Sequence, residues 1–177
     1  MLTQARASVI YPRALVFAVI VIAGCLCIPA RAETPAEWIA LGKRVHGAFG
    51  AYIPLGIRIG LDARSRLGAG PRHLSVTYET GSAAPCPCVV DGIAIALEAS
   101  PGQGTLLVVP RTAPRVFGIA TIVYPERHTA LVYTIPASAG AAVDAFNRPG
   151  VTDRQRYDAV MRMPANRLFT VKLLRER

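Results

Sequence analysis

The chain has 177 residues, with 20 Lys plus Arg against 11 Asp plus Glu and a formal charge of +9. A hydrophobic fraction of 52% with only 18% charged residues excludes an intrinsically disordered chain. No internal period of roughly 20–50 residues is present, which argues against a solenoid or propeller, and the length suits one domain.

Residues 1–32 read as a secretory signal peptide. Arg6 and Arg13 form a basic front, Ala14 to Ile28 is almost wholly apolar, and Ala30-Arg31-Ala32 is a small-residue cleavage pattern. The apolar run falls short of the ~20 residues a membrane-spanning helix needs. Cys25 also sits in a lipoprotein-like box, but Leu26, Cys27 and Ile28 continue the apolar run past it, so cleavage after Ala32 is preferred over lipidation. The expected location is periplasmic or secreted, with no membrane span after cleavage. Removing three Arg leaves 17 basic residues against 11 acids in residues 33–177, a charge of +6, and leaves Cys86 and Cys88 as the cysteines. An exported chain of this charge points to small anionic ligands or a lipid surface. The scattered basic residues lack the aromatic interleaving of a nucleic-acid groove, so no nucleic acid is expected.

Along residues 33–177, Thr34-Pro35-Ala36-Glu37 is a capping-box helix start, and Trp38, Leu41 and Val45 continue at helical spacing. A second helix runs from Ile53-Pro54 to Leu67, ended by Gly68. Gly56 and Gly60 inside it each cost about 1 kcal/mol relative to Ala, which calls for close approach by another element or a ligand. Asp62, four residues from both Arg58 and Arg66, reads as a surface ion-pair triplet. His73 to Glu79 alternates as a strand, Val89 to Ala99 is helical, and Thr105 to Val109 is a short strand. Arg115–Tyr124 and His128–Ile135 form a hairpin around Pro125-Glu126-Arg127. Helices over Ala137–Phe146 and, capped by Thr152-Asp153, up to Met163 precede a last strand over Leu168–Leu174. This order predicts an α+β fold with a mainly antiparallel sheet and flanking helices.

Stock catalytic motifs are absent, and two segments carry the polar candidates. His46-Gly47-Ala48 leads into the helix that holds Tyr52 and Arg58. Cys86-Pro87-Cys88-Val89-Val90-Asp91-Gly92 opens another helix, followed by Gly102-Gln103-Gly104. Helix N-termini suit anions and thiolates, and imidazole and thiolate suit zinc or another divalent transition metal. The cysteines are left open as metal ligands, a redox pair or a disulfide. His73 and His128 read as solvated side chains.

These motifs, with Pro164-Ala165-Asn166-Arg167-Leu168-Phe169-Thr170-Val171 near the end, resemble the E-subunit domain of formylmethanofuran dehydrogenase, in order from about Trp38 to Leu174. The resemblance implies metal association at family His and Cys positions. Two of those positions are Ala48 and Ala99 here, so His46 and Cys88 remain, with Cys86 a replacement and Asp91 a nearby anchor. The leading expectation is an exported domain binding a metal ion or small anionic ligand. Its pocket would be formed by the His46 loop, the Cys86–Asp91 helix start and the Gly102–Gly104 loop, with Tyr52 and Arg58 contributing. The alternatives are a hydrolase or oxidoreductase with His46 as base and Cys88 as nucleophile or redox centre, and a non-catalytic accessory domain or homodimer partner.

Overall fold

The computed structural model describes residues 32–175; the predicted signal segment, up to Arg31, lies outside them. The helix starts follow local chemistry. The Thr34 hydroxyl accepts from the Glu37 amide and the Glu37 carboxylate from the Thr34 amide, closing the expected capping box of α1 (Pro35–His46). Gly47, in the left-handed region, ends α1. After a short loop comes α2 (Tyr52–Leu67), stopped by Gly68 in the same conformation.

Next come β1 (Ser75–Gly81), α3 (Val89–Leu97) and β2 (Leu106–Ala113). The predicted hairpin follows as β3 (Val116–Tyr124) and β4 (Thr129–Pro136), joined by a 3-10 turn over Pro125–Arg127. The chain closes with α4 (Ala137–Asp144), α5 (Asp153–Arg162), a single helical turn α6 (Ala165–Leu168) and β5 (Thr170–Arg175). Element order agrees with the sequence reading. Two differences are the extra turn α6 and the extension of β2 past Pro110. A sheet edge tolerates a proline because its missing N–H leaves no ladder bond broken in the interior.

The five strands lie in the order β2-β1-β3-β4-β5. The β1–β2 pair is parallel, connected through α3, and the other three pairs are antiparallel, so the fold is α+β with a mostly antiparallel sheet. Buried strand side chains such as Val76, Tyr78, Ala120, Ile122, Leu131 and Tyr133 fall on one face, against α2, α3 and α4. A second apolar cluster, formed by Trp38, Phe49, Ile53, Ile57, Ala96 and Tyr157, joins that helical layer to α1 and α5. The described residues are therefore layered as sheet, inner helices and outer helices.

The glycines of α2 answer the question raised by their energetic penalty. A Cβ on Gly56 would lie 2.0 Å from the Val89 carbonyl oxygen and 2.8 Å from Gly92 Cα. A Cβ on Gly92 would lie 2.1 Å from the Ile53 carbonyl oxygen. The two backbones cross in contact at this glycine pair, and Gly60 makes room for Ala96 one turn further on. The close crossing fixes where the start of α3 stands relative to α1 and α2.

Candidate functional site

The last residue of α1 and the first turn of α3, 45 positions apart in the chain, meet here. His46 Nδ1 lies 2.7 Å from Asp91 Oδ2, with both side chains about one-third exposed. A carboxylate holding one ring nitrogen fixes the orientation of the imidazole, the arrangement used by metal-binding and general-base histidines alike.

Cys88 is the N-cap residue of α3 and already has helical backbone angles. Asp91 is three residues further on, so the two side chains share one helix face with Cβ atoms about 5–6 Å apart. Cys88 is joined to Cys86 by a disulfide, with Cα atoms 5.3 Å apart. Of the alternatives open for these cysteines, the bridge is the one present. Both residues are half-buried, Cys86 against the main core and Cys88 against both apolar clusters. The candidate site is thus a cystine at a helix N-terminus beside a His–Asp pair.

The other predicted site residues are placed elsewhere or are engaged. Gly102 and Gly104 follow the C-terminal end of α3, whereas Cys88 and Asp91 stand at its start; nine residues of helix, about 13 Å, separate the two ends. The Gly102–Gly104 turn does not join the His46–Asp91 pair. Its geometry is local: the Ser100 hydroxyl accepts from the Gln103 amide, and Gly104 closes the turn. Arg58 Nη1 donates to the carbonyls of Val160 and Met161 at 2.9 and 2.8 Å, tying α2 to the end of α5. Burial lowers the Arg58 pKa, and Asp62 partly offsets this. The expected Arg58–Asp62–Arg66 triplet reduces to a direct Asp62–Arg66 bond of 2.6 Å, with the Tyr133 hydroxyl donating to the same carboxylate oxygen.

Tyr52 belongs to a network the sequence did not reveal. Its hydroxyl donates to Asp144 Oδ1 at 2.7 Å, Asn147 Nδ2 donates to the same oxygen at 3.0 Å, and Asn147 Oδ1 accepts from the Ala51 amide. Burial and then the Asp144 carboxylate push the Tyr52 phenol up to about 12, while Asn147 and Tyr52 together hold Asp144 below its usual range. This network fastens the end of α4 to the start of α2. Beside it lies a cleft of about 190 Å³ whose lining includes Tyr52, Ala83, Pro85, Phe117, Gly140 and Asp144. Pro85 immediately precedes Cys86, so the cleft borders the cystine loop.

A second depression, about 370 Å³, lies under the Gly47–Gly50 loop. Its cations, Lys43 and Arg156, both pair with Asp153, which offsets the positive charge an anion would seek.

The expected metal can be compared with these donors. Zinc takes imidazole, thiolate and carboxylate, and a closed site requires three or four protein ligands. With both sulfurs in the bridge, His46 and Asp91 remain and are bonded to each other. Among the described residues no group of three or more His, Cys, Asp or Glu side chains is placed to hold a metal ion. The disulfide form does not fit the ion. His73 pairs with Glu126 at the surface, 3.1 Å away and apart from this site.

No curated protein matches the chain. A family model described as FmdE, molybdenum formylmethanofuran dehydrogenase operon, matches residues 45–170, from the residue before His46 to the start of β5. That span contains both halves of the candidate site and most of the chain, and the protein therefore belongs to the FmdE family.

Proposed function

We infer that this chain is an exported FmdE-family domain acting in thiol–disulfide exchange, with Cys86 and Cys88 as the redox couple and His46–Asp91 as its acid–base pair. One observation carries the reading: the cystine ends on the N-cap of the helix whose first turn binds the His46 imidazole. A helix N-terminus stabilises a thiolate at that position, and export to an oxidising compartment, the expectation from residues 1–32, keeps the couple oxidised at rest.

The corresponding reaction consumes a substrate dithiol. A substrate thiolate attacks Cys88 Sγ, the Cys86–Cys88 bond breaks, and Cys86 leaves as a thiolate that takes up a proton. The second substrate thiolate then attacks its own sulfur in the mixed disulfide and expels Cys88 as a thiolate. Two electrons pass to the protein, the substrate gains one disulfide, and two protons end on the cysteines. The ring nitrogen of His46 that Asp91 does not hold supplies and recovers the proton at Cys88, and Asp91 fixes the orientation of the ring. The cleft beside Pro85 offers apolar surface for the residues flanking a substrate cysteine.

The oxidised protein, mixed with a reduced two-cysteine peptide, should convert it to the disulfide with stoichiometric appearance of two protein thiols. Cys88→Ser should abolish the reaction. A bridge that stays intact in excess peptide would overturn the reading.

A second reading is ligand binding by the reduced form, favoured by the His46–Asp91 geometry, which presents one ring nitrogen as a donor. Opening the bridge would add two thiolates to that donor set. Metal analysis of the reduced protein, with and without His46→Ala, separates the readings: a stoichiometric zinc lost in the variant supports binding, and none leaves exchange as the function.

A further inference from the structure

Helix α4 ends against the usual chemistry of a helix terminus. The partial negative charge of a helix C-terminus favours Lys, Arg or His there, and α1, α2 and α5 each carry such a residue in the last turn. The last turn of α4 holds no basic residue and closes on Asp144, so carboxylate and helix end add their negative charge. Residues 33–177 carry 17 basic residues against 11 acids, yet Asp144 pairs with no cation among the described residues. Arg148, four residues on, lines a separate depression with Val151 and Gln155. The two hydrogen bonds to the carboxylate, from the Tyr52 hydroxyl and the Asn147 amide, come from neutral donors and both fall on Oδ1, leaving Oδ2 without a partner among the described residues. Asn147 first and Tyr52 second hold the carboxyl below its usual range, so it is ionised at neutral pH.

This unpaired carboxylate lines the cleft of about 190 Å³ that borders the cystine loop at Pro85. The rest of the lining is apolar or aromatic. The Tyr52 and Phe117 rings lie 5.0 Å apart, and α4 is seated on Phe117 because a Cβ on Gly140 would strike that ring. The volume is below the ~300 Å³ at which pockets for whole small molecules begin, and suits a single side chain. We propose that the cleft is the specificity subsite of the exchange reaction, taking a Lys or Arg side chain that flanks a cysteine of the substrate peptide, with its cationic head on Asp144. The proposal rests on the exchange reading given above. A basic side chain matches the cleft at both ends. Its methylene stem lies along the alanines, Gly140 and the aromatic rings, and its head meets the one charge present. The reach is also right. Pro85 is one Cα step of ~3.8 Å from Cys86, and the Cys86 and Cys88 Cα atoms are 5.3 Å apart. Two or three residues of extended substrate, at ~3.3–3.6 Å each, span from the bridge to the cleft.

The test uses the oxidised protein and three reduced two-cysteine peptides that differ only in carrying Lys, norleucine or Glu two residues outside each cysteine. Bridge reduction is followed against peptide concentration. Each rate is divided by the same peptide's rate with a neutral small-molecule disulfide, which removes the effect of the flanking charge on the peptide's own thiols. At low salt the Lys peptide should exceed norleucine by about threefold to fivefold, the size of a partly exposed ion pair, and Glu should fall below norleucine. The difference should lie in the half-saturating concentration rather than in the limiting rate, because the cleft holds a flanking side chain and not the reacting sulfurs. Asp144→Asn should bring the Lys-to-norleucine ratio to about one, whereas Glu79→Gln, an acid on β1 outside the cleft, should keep it. If Asp144→Asn does not fold, salt decides: the wild-type ratio should approach one at about 0.5 M. Equal rates for the three peptides, or a preference that survives both Asp144→Asn and salt, overturn the subsite and leave the exchange reading standing. A bridge that stays intact with all three peptides overturns the exchange reading, and the subsite with it.

Discussion

Gly56→Ala tests the helix crossing on which the candidate site depends. In an isolated helix the substitution would help by about 1 kcal/mol, because alanine loses less backbone freedom on folding. Here the added methyl would lie 2.0 Å from the Val89 carbonyl oxygen and 2.8 Å from Gly92 Cα, and backbone atoms cannot rotate aside as a side chain can. Relief requires α2 and α3 to separate, with an overpacking penalty at the upper end of the usual range, about 3 kcal/mol. The net expectation is a loss of about 2 kcal/mol, or roughly 6 °C in Tm for a domain of this size. Because α3 carries Asp91 and Cys88, the same shift should lengthen the His46–Asp91 contact and speed reduction of the bridge. Thermal and urea unfolding followed by circular dichroism measure the first effect, and dithiothreitol titration the second. Gly102→Ala, with nothing within 4 Å of the new methyl, is the control and should stay within about 0.5 kcal/mol. A Gly56→Ala protein as stable as the wild type would refute the crossing.

Three further outcomes follow from the same structure. Arg58→Ala removes the guanidinium that donates to the Val160 and Met161 carbonyls of α5, and should lower stability by about 1–2 kcal/mol in urea unfolding while leaving dithiol oxidation unchanged. Tyr52→Phe should cost about 1 kcal/mol near neutral pH and flatten the stability profile at both extremes. The raised Tyr52 phenol stabilises the fold below its unfolded value and loses that contribution as pH climbs toward about 12, while the depressed Asp144 carboxyl contributes above its unfolded value and loses it as pH falls. Unfolding free energies from low to high pH, wild type against variant, check both limbs. A strong chelator should leave the Tm of the disulfide form unchanged; a fall of several degrees would reveal a structural metal.

What the sequence disclosed was mostly local. The capping box at Thr34 and Glu37, the stop at Gly68, the hairpin turn at Pro125 and the cap at Thr152 each act within a few residues, and each stands where its chemistry places it. The helix glycines were legible as a demand for close approach, although only the fold identified the approaching element as α3. Tertiary matters were not legible. Arg58 shows the right spacing for an ion pair with Asp62, yet its longer reach finds two carbonyls 102 and 103 positions away. Asp144 and Asn147 resemble an ordinary helix end until Tyr52 and the Ala51 amide come within hydrogen-bond reach. Proximity in sequence also misled: Gly102 and Gly104 lie close to Asp91 along the chain, but a helix between them directs the two ends apart. His46 and Asp91, far apart in the chain, are neighbours because the α2–α3 crossing sets them together.

The most direct measurement of the central claim is the pH dependence of alkylation of Cys88 in the reduced protein, with Cys86 replaced by Ser, compared with the same protein carrying His46→Ala. If imidazole and helix terminus together stabilise the thiolate, Cys88 of the Cys86→Ser protein should react with an apparent pKa below the ~8.5 of a free thiol, and adding His46→Ala should move that midpoint upward; in the protein that keeps both cysteines, His46→Ala should slow dithiol oxidation. Identical profiles with and without His46 would contradict the account.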